Sequence, residues 1–433
     1  MLEMKWIREN ADKVQQAAND KRMEFDVYEL VETDSLTRRL QQETEALRQA
    51  RNTLSQAVGL AIHQGIEAEA DAAKAKVALV NEQLAVLEQE FAAAEARRSR
   101  LLQRVPNIVS EDTPAGASDA DNVEIRKVGA LPEWGFLPKS HIELGELHDM
   151  IDFRRGVKTA GTRSYYLKGM AALLHRAVQQ LALDLLLDKG FTPLEVPLMV
   201  REDTLVHAGF LPLGEDQVYR IAGEDRWLVG TSEAPLANYY AGEVIDAARP
   251  VKLAAASSCF RSEVGSAGRD TQGLYRVHQF AKVEQVVICK ADYAVSDLLL
   301  HEITSNAEQL LQLLELPYRV MAVCTGDMSQ KTYKQYDIET WMPSRGSYGE
   351  THSSSNLGDF QARRSNIRYR GADGKLRYCH TLNNTAVASP RILIPLLENH
   401  QQADGSIRIP AALQPYMRGA ERIVPPGQEE TNG

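Results

Sequence analysis

Residues 36–104 contain no proline, and through them apolar residues recur at alternating spacings of three and four. No other feature limits the fold so tightly, because a helix carrying such a stripe needs a partner along its whole length. In the second half the stripe is Ala70, Ala73, Val77, Val80, Leu84, Leu87, Phe91, Ala94 and Leu101, broken only by Arg98. In the first half it is Leu36, Leu40, Leu47 and Leu54, with Ala50 and Ala57 filling the seam and Glu43 interrupting it. The simplest partner for each half is the other, folded back through a turn near His63-Gln64-Gly65. The pattern predicts a long antiparallel helical hairpin over 36–104. Its second helix, about 35 residues long, should reach roughly 50 Å and project from the body. Taken alone, such an arm reads as a spacer or a dimerisation coiled coil. Its charge does not decide. Residues 35–104 hold 10 Lys+Arg against 9 Asp+Glu, so nucleic-acid contact would rest on local clusters such as Arg97, Arg98 and Arg100.

The whole chain of 433 residues has 49 Lys+Arg against 59 Asp+Glu, a net charge of −10, with 44% hydrophobic and 25% charged residues. That balance excludes a disordered or collagen-like chain and a protein that coats nucleic acid indiscriminately. Cysteines at 259, 289, 324 and 379 form no CxxC pair, which argues against a disulfide framework or structural zinc. No run approaches 18 apolar residues, so no membrane span is expected. The opening MLEMKWIRENADKVQQ lacks the apolar segment of a signal peptide, so the expected location is cytoplasmic.

Residues 105–135 concentrate Pro, Gly, Asp and Ser and read as a linker between residues 1–104 and 136–433. Beyond it, Leu174, Val178, Leu181 and Leu185 line one helix face, and Lys189-Gly190 ends that helix. FTPLEVPLM (191–199), interrupted by Pro193 and Pro197, suits an edge strand. Strands are predicted at 251–260, 277–289, 318–324 and 367–369, and a long helix after Pro390. There is no β-α-β alternation and no GxGxxG, so the expected class is α+β with an antiparallel sheet.

The densest chemistry lies in CFRSEVGSAGRDTQGLYRVHQFAKVE (259–284), read as two strands joined by a flexible turn around Gly265, Gly268 and Gly273. Alternation would put Arg261 with Glu263, and Phe280 with Glu284, on one sheet face. An arginine near a glutamate is usually a structural ion pair. With a flat aromatic and a second carboxylate, however, the face could hold a phosphate, an amino group and a purine together. GETHSSSN (349–356) offers a carboxylate and hydroxyls suited to Mg²⁺ and phosphate oxygens, although its composition also fits a serine-rich surface turn. HTLNNTAVASPR (380–391) runs from a polar strand into a helix, and GTSE (230–233) ends an apolar run. Each is weak alone.

Together they resemble a known family. FRSEVGSAGRDTQGLYRVHQFAKVE resembles motif 2 of the class II aminoacyl-tRNA synthetases, in particular the seryl-tRNA synthetases. GFTPLEVPLM resembles motif 1, with Pro197 in its expected place, and TLNNTAVASPRILIPLLENHQ resembles motif 3 with Arg391. TSE at 231–233, ETHS at 350–353, DFQARR at 359–364 and the helical hairpin are similar to the same family, in the same order. Many members have LNGSGLA where this chain has LNNTAVA, so Thr385 stands in place of a serine and keeps the hydroxyl.

The resemblance implies a tRNA-binding N-terminal domain (1–104), a linker, and a class II catalytic domain (136–433) on an antiparallel sheet flanked by helices. It implies activation of L-serine by ATP to seryl-adenylate, then transfer to the 3′ end of serine tRNA and, in general, of selenocysteine tRNA. Arg261 and Arg391 would be the catalytic arginines. ATP would be held by Arg261, Ser262, Glu263, Val277, Phe280, Glu350, Thr351, His352, Ser353 and Arg391, with Mg²⁺ on Glu350 and Ser353 and no zinc. Serine would be held by Thr231, Ser232, Glu233, Arg261, Glu284 and Thr385. The family is a homodimer built on motif 1, needs no membrane, and uses its arm to grip the tRNA. Two other readings stand beside this one: a relative that loads a carrier protein, which would lack the arm, and a non-catalytic coiled-coil protein.

Overall fold

The computed structural model describes residues 1–265 and 272–427, and divides them into two units. A helical unit comprises residues 2–19 and 23–106; a sheet unit comprises residue 1, residues 20–22 and the chain from 107 onward.

The helical unit is dominated by α1 (Val27–His63) and α2 (Glu67–Arg104). The first helix begins nine residues before the predicted start at 36, where the Asp26 carboxylate caps the free amides of Tyr28 and Glu29. The turn at Gly65, with φ of +72°, lies where the sequence puts it. Along α2, every predicted seam residue from Ala70 to Leu101 is buried or half-buried. Along α1, Leu40, Leu47 and Leu54 face the partner, but Leu36, Glu43, Ala50 and Ala57 do not. The intervening seam positions are Thr37, Thr44, Arg51 and Val58, one residue further on. Burial is possible for the two threonines because their hydroxyls donate to the carbonyls of Thr33 and Leu40, at 2.8 and 2.7 Å. Arg98 occupies its seam position by pairing with Asp34 of α1 at 3.3 Å; that carboxylate is 1% exposed and also holds Arg8 at 2.6 Å.

The sheet unit is built on eight strands. In chain order its strands are β1 (Val123–Val128), β2 (Thr192–Pro193), β3 (Val251–Phe260), β4 (Gln279–Cys289), β5 (Tyr318–Ala322), β6 (Lys334–Met342), β7 (Ser347–Asn356) and β8 (His380–Ser389). Their order across the sheet is β1-β5-β6-β7-β8-β4-β3-β2, antiparallel except for the last pair. Three expectations are corrected. The stretch 105–135 is not simply a linker, since β1 lies within it and pairs with β5. FTPLEVPLM is not one edge strand: its prolines cannot donate to a ladder, and it supplies the two-residue β2 and, at Met199, the start of a second short strand, Met199–Val200, in a separate three-stranded sheet. The helix after Pro390 is short, Leu393–His400, and is followed by a two-residue strand and a 3-10 helix.

The 20-residue helix α3 (Gly169–Asp188) has the length and apolar content of a membrane span, yet it packs into the core. Leu174, Val178, Leu181 and Leu185 join the core with Leu300, Ile303 and Leu311 of α4 (Tyr293–Leu313) and with Val283, Val287 and Val387 of the sheet. This apolar face is consumed within the chain and does not itself leave a surface for a second copy to cover.

Candidate active site

Alternation along β4 puts Phe280, Lys282 and Glu284 on one face. All three line a cleft of about 300 Å³. Thr231, Glu233, Arg261, Glu263, Val277, Glu350, Thr351, His352, Ser353, Thr385 and Arg391 line it too. Of the predicted site residues only Ser232 and Ser262 lie outside this lining: Ser232 is fully buried, and the Ser262 hydroxyl donates to the Asp216 carbonyl. Arg261 and Glu263 are not strand neighbours as alternation suggested. β3 ends at Phe260, and Glu263 adopts a left-handed φ of +52°. The expected turn is entered at Gly265 and left at Gly273, both with positive φ; Gly268 lies outside the described residues.

One end of the cleft is flat and cationic. The Arg261 guanidinium sits 5.3 Å from the centre of the Phe280 ring, and its Nε donates to the Gly230 carbonyl at 3.2 Å. Arg391 donates through Nε to Tyr275 O at 3.1 Å and through Nη1 to Glu350 O at 3.2 Å. The Tyr275 ring has the Arg391 guanidinium at 4.4 Å and that of Arg345 at 4.2 Å.

The other end is a buried double ion pair. Glu284, opposite Thr385 in the β4–β8 register, is 1% exposed and meets Lys282 Nζ at 2.6 Å. The Thr385 hydroxyl donates to the same carboxylate at 3.4 Å. Glu233 begins a short helix, Glu233–Ala237, and its Oε1 meets Lys331 Nζ at 2.5 Å and Gln361 Nε2 at 2.7 Å. Burial raises the Glu284 pKa, opposed by the Lys282 ammonium and reinforced by the charge of Glu233. Burial lowers the pKa of Lys331, opposed by Glu233. Lys282, Lys331 and Gln361 were not singled out from the sequence. Lys282 carried one signal, a charge on the same strand face as Phe280 and Glu284.

GETHSSSN is no surface turn but most of β7, buried along much of its length. Thr351 Oγ1 bonds Thr340 Oγ1 at 2.6 Å and His352 Nδ1 at 2.7 Å. Burial holds the His352 pKa down at about 3, so the imidazole is neutral at pH 7. Gln335 Nε2 bridges Ser353 Oγ at 3.2 Å and Asp337 Oδ1 at 3.0 Å. Burial, with the nearby Glu350 charge, pushes the Asp337 carboxyl up to about 8. Among the described residues no three His, Cys, Asp or Glu side chains form a closed metal cage. An all-oxygen set around Glu350 and Ser353, completed by water and phosphate oxygens, fits the habit of Mg²⁺.

Residues 1–109 match the family model for the seryl-tRNA synthetase N-terminal domain, and residues 219–400 match that for the class II tRNA synthetase core domain (G, H, P, S and T). A serine–tRNA ligase of Deinococcus radiodurans is 47% identical over 427 residues, covering 98% of this chain and all of that one. One from Rubrobacter xylanophilus is 41% identical over 431 residues, covering 98% and 99%. Among solved structures, seryl-tRNA synthetase from Pyrococcus horikoshii complexed with ATP aligns with a TM-score of 0.88 at 38% identity, covering 98% of this chain and all of that one. Prolyl-tRNA synthetase from Giardia lamblia, with prolyl-adenylate, has a TM-score of 0.55 at 16% identity over 64% of this chain and 57% of that one, a likeness of fold alone.

Proposed function

The chain belongs to the seryl-tRNA synthetase family and uses ATP to charge tRNA with serine, and from that premise we propose how its cleft divides the work. The serine carboxylate, already ionised at pH 7, attacks the α-phosphorus of ATP; pyrophosphate leaves and seryl-adenylate forms. No protein base is required, so the site contributes position and charge. Arg261 takes the α-phosphate, Phe280 stacks on the adenine with Val277 beside it, and the Glu263 carboxylate receives the adenine amino group. Arg391 closes the opposite side and holds the far phosphates. Thr351 and His352 complete the nucleotide's surroundings; Ser262, its hydroxyl turned to the Asp216 carbonyl outside the cleft lining, is not among them. Glu350 and Ser353 would hold Mg²⁺, which would supply positive charge against the triphosphate.

The other end takes serine. Thr231, Glu233 and Glu284 receive its ammonium and hydroxyl, and Thr385 donates to the hydroxyl; Ser232, fully buried outside the cleft lining, is not among them. Alanine leaves these buried polar groups unpaired and is therefore rejected. The observation that carries this reading is the polarity of one cleft: arginines and a flat ring at one end, two buried carboxylates at the other. In ATP–pyrophosphate exchange, Glu284→Ala should raise the KM for serine at least tenfold with little change for ATP, and Phe280→Ala should do the reverse. If Glu284→Ala moves only the ATP requirement, the two ends are assigned the wrong way round.

The substrates also set the partners. Serine tRNA is gripped by the arm, and selenocysteine tRNA, charged with serine by the same chemistry, is a second acceptor. The enzyme works in the cytoplasm as a homodimer through the motif 1 region. With α3 spent in the core, the dimer is supported by family membership and by the exposed Met199 of that region, which lines one groove with the exposed Tyr239. A monomeric mass by light scattering at micromolar concentration rules it out.

A further inference from the structure

The loop at residues 329–332 brings Lys331 to Glu233, and something must keep a buried loop with four backbone carbonyls in one place. Two residues far away in sequence do so. Lys21 Nζ donates to the carbonyls of Ser329, Gln330 and Thr332 at 3.1, 3.2 and 2.5 Å. From another direction, Asn107 Nδ2 donates to Lys331 O at 3.0 Å and Asn107 N to Gln330 O at 2.8 Å. Every carbonyl of the loop is thereby held. Lys21, with residues 20–22, belongs to the sheet unit, is 4% exposed, and among the described residues meets no carboxylate. A lysine buried without a counter-charge is costly, and an apolar side chain would pack there for less. The ammonium supplies three donors from one compact centre, one for each of the three carbonyls. Burial pulls its pKa down to about 7.

We infer that Lys21 is a positioning residue for serine recognition: its ammonium clamps the 329–332 carbonyls so that Lys331 is aimed at Glu233 in the serine end of the cleft. The inference rests on the assignment of Glu233 and Lys331 to that end. Lys331 then sets how much of the Glu233 charge is left for the substrate ammonium. The plain alternative is that Lys21 merely stabilises the fold.

The test is a mutant cycle read by pyrophosphate exchange on the full chain, with the KM for serine and for ATP measured separately. Lys21→Met keeps the stem and removes the donors. It should raise the serine KM about tenfold and leave the ATP KM within twofold. Lys331→Met should also act on serine, and the double variant should be no worse than Lys331→Met alone, since both act through one contact. Asn107→Ala loosens the same loop from its other side and should give the same serine-selective rise, which keeps the test open if Lys21→Met does not fold. If Lys331→Met is serine-selective while Lys21→Met and Asn107→Ala are silent, or shift both KM values alike, the clamp is overturned and the site assignment stands. If Lys331→Met shifts the ATP KM instead, the assignment fails and the clamp falls with it.

Discussion

Arg261 and Arg391 enter the cleft from separate strand ends, and each has its direction set by a backbone carbonyl. A guanidinium fixed in this way meets a phosphate without first being ordered, so its removal should cost mainly turnover. Arg261→Ala and Arg391→Ala should each lower the rate of pyrophosphate exchange by about 10²–10³, the usual effect of losing one fixed donor. The far-ultraviolet circular dichroism should not change. A loss matched by a fall in helix signal would mean that either arginine acts on the fold. The arginines, Glu284 and Phe280 were legible because they sit in motifs whose chemistry needs them. Lys282 and Lys331 were not, because a lysine in a sequence is far more often on the surface. Their burial depends on partners 2 and 98 residues away, and the more distant pairing leaves no local trace.

At the scale of the element, the arm was legible where its seam is apolar and misread where it is polar. The α2 stripe could be followed residue by residue. The α1 stripe was misread by one position because Thr37 and Thr44 occupy seam sites and satisfy their own hydroxyls, while Leu36 points outward. The arginines have a similar lesson. Arg97 and Arg98 looked available to a phosphate, but they pair with Glu29 and Asp34. Arg38 and Arg100 are both exposed. Asp34 joins Arg8 and Arg98, so Asp34→Ala should leave Arg8 without that carboxylate and Arg98 with Glu95 in its place, and weaken the base of the arm by about 2 kcal/mol. Amide hydrogen exchange should report it as lost protection in α1 near residue 34. Unchanged protection there would make the triad ornamental.

For the whole molecule, the helical unit holds none of the cleft residues. Joining residue 44 to residue 91 through a short turn removes the outer arm and leaves the Arg8–Asp34–Arg98 base in place. Serine-dependent pyrophosphate exchange should be unaffected, while tRNA charging should fall at least a hundredfold. The arm's share of charging should also weaken as salt rises, because phosphate contacts release counterions. Charging at the parental level would make the arm a spacer. The sheet itself sets an order of events during synthesis. β4 and β7 share no ladder; β8, made almost last, is the strand that hydrogen-bonds to both. Arg261, Phe280 and Glu284 lie on one side of that junction, Glu350 and Ser353 on the other, with Thr385 in the joining strand. At a ribosome's 5–20 residues per second, the arm can form early from contacts local to the first quarter of the chain. A nascent chain stalled before residue 380 would already contain most of the groups that bind ATP and serine, yet its sheet would be in two unjoined parts with no enzyme between them.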